Sequence, residues 1–296
     1  MVIRESIIVQ IKQEALRHGD RIALIASSRL PEVKKSFETR GIETSPHFNF
    51  APSSEADWTL QSVIIAASRS RRYYVSFDVD GREFKAALPA TYADDDTQNA
   101  KIEQYLEALL AKEKYHVAPG RKLPLKALAV HAGLGVYGRN NLIYMEGFGS
   151  FLNLNVFFTD VQAQDENFFP FGILETCKDC NLCIANCPSG ALREESFLVD
   201  APHCLTRVNE GREPFPAWVD PSWHHALVGC ERCQDTCPRD RGLFEPVEEI
   251  ARFNREETEA FLCGELPEKA YEPLGIACYC KCLARNLKSL IAAQKE

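Results

Sequence analysis

No stretch of this chain approaches the roughly 18 consecutive apolar residues that a membrane-spanning helix needs. Its first residues, Met1-Val-Ile-Arg-Glu-Ser-Ile-Ile, place Glu5 and then Lys12 inside the only apolar zone near the start, so no secretory leader is expected. An excess of positive charge is also lacking. Lys and Arg number 34 against 42 Asp and Glu, a formal net charge of −8. That balance gives no overall attraction to nucleic acid or to an anionic membrane and leaves only local patches for either. Low-complexity segments are absent, and nothing repeats except two runs of cysteine. At 296 residues, 45% hydrophobic and 26% charged, the chain has the make-up of one large or two modest globular domains.

Cysteine is what the chain has in quantity, twelve in all. Without a leader, so many thiols point to a reducing cytoplasm and metal ligation, not to a disulfide scaffold. Cys177-Lys-Asp-Cys180-Asn-Leu-Cys183-Ile-Ala-Asn-Cys187-Pro188 has the C-x2-C-x2-C-x3-C-P spacing with which bacterial ferredoxins hold cubane iron–sulfur clusters. Two-residue gaps let one tight loop aim three sulfurs at three corners of a cube, and the fourth cysteine points away to a second cluster. A shorter run follows at Cys230, Cys233 and Cys237-Pro238. Paired C-x2-C units also suit tetrahedral zinc, but zinc accounts for neither the triple spacing nor the two Cys-Pro endings.

In a two-cluster ferredoxin each run gives its last cysteine to the other cluster. The rule predicts one site from Cys177, Cys180, Cys183 and Cys237, and another from Cys187, Cys204, Cys230 and Cys233. Cys204 fills the place of the close cysteine the second run lacks. Two such clusters carry electrons one at a time. Of the other four cysteines, Cys263 is expected as a small core residue. Cys278, Cys280 and Cys282 would share a face on a strand, whereas on a helix only Cys278 and Cys282 would. Packing and a redox or metal role both stay open for them.

Apolar spacing predicts a helix over 1–20, a buried strand over 21–27, a helix over 30–41 and a second apolar strand over 62–67. Two alternating runs around Asp80-Gly81 predict a hairpin. Helices are expected over 97–114 and 123–131, and a buried strand over 152–160. After Cys237 the chain reads as helices carrying Phe253, Phe261, Leu262, Leu283, Leu287, Leu290 and Ile291. Gly133, Gly135 and Gly138 imitate a dinucleotide-binding fingerprint, but a helix precedes them where a strand should. They mark either a tight helix-to-strand turn or a close backbone approach to a large ligand.

The combination of Ala132-Gly-Leu-Gly-Val-Tyr-Gly-Arg-Asn, Gly149-Ser-Phe-Leu, the first cysteine run, Cys204 and Gly229-Cys-Glu-Arg-Cys-Gln-Asp-Thr-Cys-Pro resembles the epoxyqueuosine reductases. Ala284-Arg-Asn-Leu fits the helix that follows their clusters. The resemblance implies an α+β protein: an α/β cobalamin-binding domain (1–165), a double [4Fe–4S] ferredoxin-like domain (166–245) and a C-terminal helical segment (246–296). It implies a corrinoid lined by Leu142, Ile143, Tyr144, Phe151 and Leu152, with a cluster-side contact at Cys230 and Glu231. Clusters of this family feed electrons to cobalt, and the corrinoid removes an epoxide oxygen from a tRNA wobble nucleoside. The module is more distantly similar to reductive dehalogenases.

The sequence departs from that family where its proton donor should be. The family's aspartate, in a V-D-S/T-x-P segment, aligns with Pro119, and no carboxylate lies between Glu113 and Glu146. Val136 and Arg139 replace a tryptophan and a lysine. Replacement donors are Tyr115, His116, Arg121, Lys122 or Tyr137. The expectation is therefore a cytoplasmic reductase dependent on cobalamin and iron–sulfur clusters, with a substrate other than queuosine-tRNA. It would take electrons from a low-potential donor such as ferredoxin or flavodoxin. The alternatives are a true epoxyqueuosine reductase, whose tRNA would need Arg69, Arg71, Arg72, Arg121 and Lys122, and a non-enzymatic corrinoid-handling or electron-transfer protein.

Overall fold

The computed structural model describes residues 6–38, 57–93, 95–120, 123–163, 168–243, 248–267 and 280–293. The chain packs as two compact units. The first comprises Met1–Arg69, Thr97–Gly138 and Leu142–Glu175; the second comprises Ser70–Asp96, Arg139–Asn141 and Thr176–Glu296. The hairpin around Asp80-Gly81 thus packs with the cysteine runs, although it precedes them by about a hundred residues.

The first unit is built on an antiparallel sheet in the order β1 (Arg21–Ala26), β2 (Ser62–Arg69), β8 (Leu152–Thr159), β5 (Val117–Pro119). β2 lies between neighbours and is buried from Ser62 to Ser68, which is why it reads as an unbroken apolar run. Pro119 sits on the edge strand β5, where its missing N–H costs no ladder bond. Helix α1 (Ile7–Arg17) starts at Ser6, whose hydroxyl accepts from the Val9 N–H, and turns Ile11 and Ala15 inward. They meet Leu24, Ile64 and Phe157 of the sheet and Ile102, Leu106 and Leu110 of α3 (Asp95–Leu110). One carboxylate is buried here. Asp20 accepts from Ser68 Oγ at 2.6 Å and from the Tyr105 hydroxyl at 3.1 Å. Burial, and then the charge of Asp20, pushes the Tyr105 hydroxyl far above its ordinary value. Helices α2 (Leu30–Glu38) and α4 (Leu125–His131) complete this part.

The second unit contains the hairpin β3 (Arg72–Val79) and β4 (Arg82–Pro89), turned by Asp80 and Gly81, both with positive φ. Against β3 lies a strand where helix was expected: β9 (Glu248–Phe253) pairs parallel with it, from Tyr73↔Glu248 to Phe77↔Phe253. Its sequence Glu-Glu-Ile-Ala-Arg-Phe gave no alternation to read, because β9 buries only Phe253 fully. Phe77, Phe253 and Phe261 meet with ring centroids 5.0–5.5 Å apart. Phe261 comes from α8 (Arg255–Cys263), whose start is closed by a capping box between Asn254 and Glu257. Leu283, Leu287 and Leu290 of the last described helix, α9 (Cys280–Ala293), close the same core. Buried Asn286 of that helix donates to the Asn209 and Leu227 carbonyls at 2.9 Å each.

One cysteine expectation changes and one open reading is decided. Cys263 is exposed in the last turn of α8, not in the core. Cys282 is buried on a helix, packed with Leu283 and Leu287, so the packing reading holds for it. Cys278 lies outside the described residues. Replacing Phe261 with alanine removes a fully buried ring from this core. It is expected to cost about 3–5 kcal/mol, read as a lower urea midpoint; a cost below about 1 kcal/mol would contradict the packing described.

Candidate functional site

Each cysteine run folds around one short helix. In the first, α5 (Leu182–Ala185) follows Asn181; in the second, α7 (Arg232–Asp235) follows Glu231. Asn181 (φ −118°, ψ 17°) and Glu231 (φ −118°, ψ 6°) have nearly the same backbone, so the two runs repeat one local design. Cys204 sits at the head of a third short helix, α6 (Leu205–Glu210). All eight predicted ligand cysteines are half-buried and free of disulfides.

Their thiols influence one another in two sets. Burial first, and then the nearness of Cys177, Cys237 and Cys180, pushes the Cys183 thiol up. Cys230 is pushed up to about 12, chiefly by burial and then by Cys204 and Cys187. Cys233 rises further for the same reason, with Cys230, Cys183, Cys204 and Cys187 around it. Cys183 among the neighbours of Cys233 means that the two sets adjoin. Among the described residues no three His, Cys, Asp or Glu side chains converge to hold a single metal ion.

The loops that carry these cysteines are tied down by polar side chains. Arg139 donates from Nε and Nη2 to the Cys177 carbonyl at 3.1 and 2.9 Å, and from Nη2 to the Lys178 carbonyl at 2.9 Å. Asn140 donates to the Cys233 carbonyl at 3.5 Å. Arg72 of β3 reaches Asp235 at 2.9 Å and Glu231 at 3.5 Å. Burial raises the Glu231 carboxyl to about 7, against the opposing pull of Arg72. The Glu231 N–H donates to His225 Nε2 at 3.2 Å, which leaves the ring proton on Nδ1. Sequence reading missed Arg72 as a neighbour of Glu231, because 159 residues separate the two.

The residues proposed to line a corrinoid belong to the first unit. Val136 and Tyr137 (β6) pair with Tyr144 and Ile143 (β7), and the Gly138 N–H closes the turn onto the Leu142 carbonyl at 2.7 Å. Ile143, Tyr144 and Phe151 are buried. Leu142 and Leu152 are half-buried, and Leu152 packs beside Met145 and Phe148. The glycine turn serves the protein's own packing. A Cβ on Gly133, at φ +75°, would meet the Phe169 ring at 2.5 Å, and one on Gly135 would meet Ile143 and the Tyr144 carbonyl at 2.7 Å. At these two positions the chain itself makes a close approach. His131 is a packed core histidine: its ring bonds the Phe169 carbonyl and Ser36 Oγ and stacks on Phe168.

The donor candidates separate. Tyr115 packs against the α1–α3 core. His116 is exposed, its Nδ1 2.6 Å from Asp160, with Trp58 stacked on the ring. It lies beside Thr159, seven residues along β8 from Leu152, or about 23 Å at about 3.3 Å per residue. Tyr137 is buried and directly opposite Ile143. Arg121 and Lys122 lie outside the described residues.

Set beside known proteins, residues 176–240 match the family described as a 4Fe-4S double cluster binding domain. The chain is also similar to the epoxyqueuosine reductases. It is 29% identical to that of Synechocystis over 158 residues, 53% of this chain and 52% of the relative. To that of Gloeobacter violaceus it is 34% identical over 115 residues, 38% of this chain and 34% of the relative. The chain thus spans about half or less of the curated relatives it matches. Its fold is that of the Bacillus subtilis epoxyqueuosine reductase, solved with an aspartate-bearing catalytic loop swung out of the active site: TM-score 0.66 at 18% identity, over 97% of this chain and 82% of that one. Among the described residues no helix is long and apolar enough to cross a membrane.

Two outcomes follow. The hydrogen bond that the His116 ring donates to the Asp160 carboxylate holds the ring above its ordinary value near 6.5. The pair therefore contributes fully below about 6.5 and is lost as pH rises through the folded pKa of His116. An NMR titration is expected to give a midpoint above 6.5 that falls in Asp160→Asn; a wild-type midpoint at or below 6.5 would contradict the pair. Cys204→Ser is expected to cut bound iron from about eight to about four per chain, since it unmakes one cubane of two, with circular dichroism unchanged. Undiminished iron would remove Cys204 from the ligand set.

Proposed function

We propose that this protein is a reductase that uses two [4Fe–4S] clusters and a corrinoid, acting on a substrate other than queuosine-tRNA. The observation that carries the proposal is the grouping of eight cysteines into two adjoining sets of four inside the segment that matches a double-cluster domain. Cys177, Cys180, Cys183 and Cys237 would hold one cluster, and Cys187, Cys204, Cys230 and Cys233 the other. Cluster binding would release the thiol protons. Leu142, Ile143, Tyr144, Phe151 and Leu152 would contact the corrinoid, with Leu142 and Leu152 keeping side-chain surface for it. When bound, the corrinoid supplies reductive chemistry at cobalt, with electrons relayed by the clusters from a low-potential ferredoxin or flavodoxin.

For the proton, Tyr137 is the best-placed described candidate, because it shares a small sheet with Ile143 and Tyr144. His116 is too far along β8. Of the basic side chains that a tRNA would need, the three among the described residues are engaged with the protein. Arg69 donates to the Gly147 carbonyl and lies over Phe148, Arg71 faces Glu248, and Arg72 faces Asp235 and Glu231.

A second reading, a true epoxyqueuosine reductase, is favoured by the sequence likeness and by a structural relative solved with an epoxyqueuosine-modified tRNA stem loop, TM-score 0.66 at 18% identity over 97% of this chain and 82% of that one. The absence of any carboxylate between Glu113 and Glu146 favours instead a corrinoid-handling or electron-transfer protein.

Titrating anaerobically purified, cluster-loaded protein with cobalamin separates these readings. A saturable change in the corrinoid spectrum near one equivalent per chain is expected, together with no salt-sensitive binding of the modified stem loop. Stem-loop binding that falls linearly in log K with log salt would move the assignment to epoxyqueuosine reductase. Full iron with no corrinoid response would leave the electron-transfer reading.

A further inference from the structure

The chain enters the cysteine-bearing unit early, for three residues only, Arg139–Asn141, between two long stretches of the other unit. Each of the three reaches the backbone of that unit. Arg139 takes the Cys177 and Lys178 carbonyls, Asn140 takes the Cys233 carbonyl, and Asn141, with φ of 62°, takes the Phe197 carbonyl at 3.4 Å. None of the three adds an apolar side chain to a core, so this excursion serves the loops it bonds.

Arg139 differs from its neighbours in carrying charge. Its planar fork spans two successive carbonyls in the tight loop between Cys177 and Cys180, a geometry one lysine ammonium does not reproduce. Among the described residues it forms no ion pair with a carboxylate, whereas Arg72, near the other run, is answered by Glu231 and Asp235. Both peptide units that Arg139 engages are trans, since the described chain has no cis peptide bond. Drawing their carbonyls toward the guanidinium turns the Lys178 and Asp179 N–H groups the opposite way. N–H groups and a fixed positive charge both stabilise a cluster after it gains an electron, because the reduced form is the more negative one.

Resting on the two-cluster reading above, we propose that Arg139 is a positioning residue for the cluster bound by Cys177, Cys180, Cys183 and Cys237, and that it makes this cluster the higher-potential member of the pair. An electron delivered to the protein then settles there first. The assignment concerns the loop and its charge; Arg139 touches neither cysteine sulfur nor substrate.

The test is an anaerobic redox titration of the iron-loaded full chain with dithionite, followed by electron paramagnetic resonance, in wild type, Arg139→Gln and Arg139→Lys. Wild type is expected to show two waves. Arg139→Gln should shift only the higher wave, to lower potential, with about eight irons retained, since two cubanes remain. Arg139→Lys keeps the charge but loses the fork, so its wave should fall between the two; it also carries the test if the Gln variant does not assemble. Eight irons with both waves unmoved in these variants would overturn the role of Arg139 and leave the two-cluster reading standing. Wild-type protein that takes up no iron would overturn that reading itself.

Discussion

A thiol buried among other thiols stays protonated unless a cation takes the proton's place. Cys183, Cys230 and Cys233 are all in that position, pushed up first by burial and then by their sulfur neighbours. Left bare, such a site would gather polar groups where water cannot reach them well and nothing neutralises their ionised form. Filled by a cluster, the same burial becomes useful, because it lets nearby N–H groups and charges act strongly on the electron it holds. The rest of the second unit makes sense as the means of holding the cysteine loops in place.

That means is mostly backbone held by side chains. The cysteine loops have little regular structure beyond short helical turns, and they are secured from outside: Arg139 and Asn140 on their carbonyls, Arg72 on Glu231 and Asp235. The supports are themselves anchored in a packed core. Arg72 begins β3, which is paired on both sides by β4 and β9 and backed by Phe261 and the leucines of α9. Asn286 ties that same helix to the Leu227 carbonyl, three residues before Cys230. A sheet and helix far from the cysteines in sequence therefore determine how firmly the second run is held.

Local features were legible in the sequence and distant pairings were not. The cysteine spacings, the Asp80-Gly81 hairpin and the unbroken apolar run of β2 each express a constraint that acts within a few residues. β9 escaped notice because its partner lies about 175 residues away and only Phe253 shows the burial that pairing confers. The glycines at 133 and 135 announced a backbone restriction, but only the structure shows that Phe169 and Tyr144 impose it. Cys263 was misplaced for a similar reason: its helix is amphipathic, and a cysteine in the last turn can face either way. The corrinoid contacts rest on likeness, since buried Ile143, Tyr144 and Phe151 look in sequence like any packed strand.

The central claim is that the two cysteine sets hold two neighbouring [4Fe–4S] clusters. Electron paramagnetic resonance of the anaerobically purified, dithionite-reduced full chain tests it most directly. Because Cys183 and Cys233 lie close enough to affect each other, the account predicts two reduced cubanes per chain with spectra broadened by mutual spin coupling. A single isolated cluster signal, or zinc in place of iron, would contradict it.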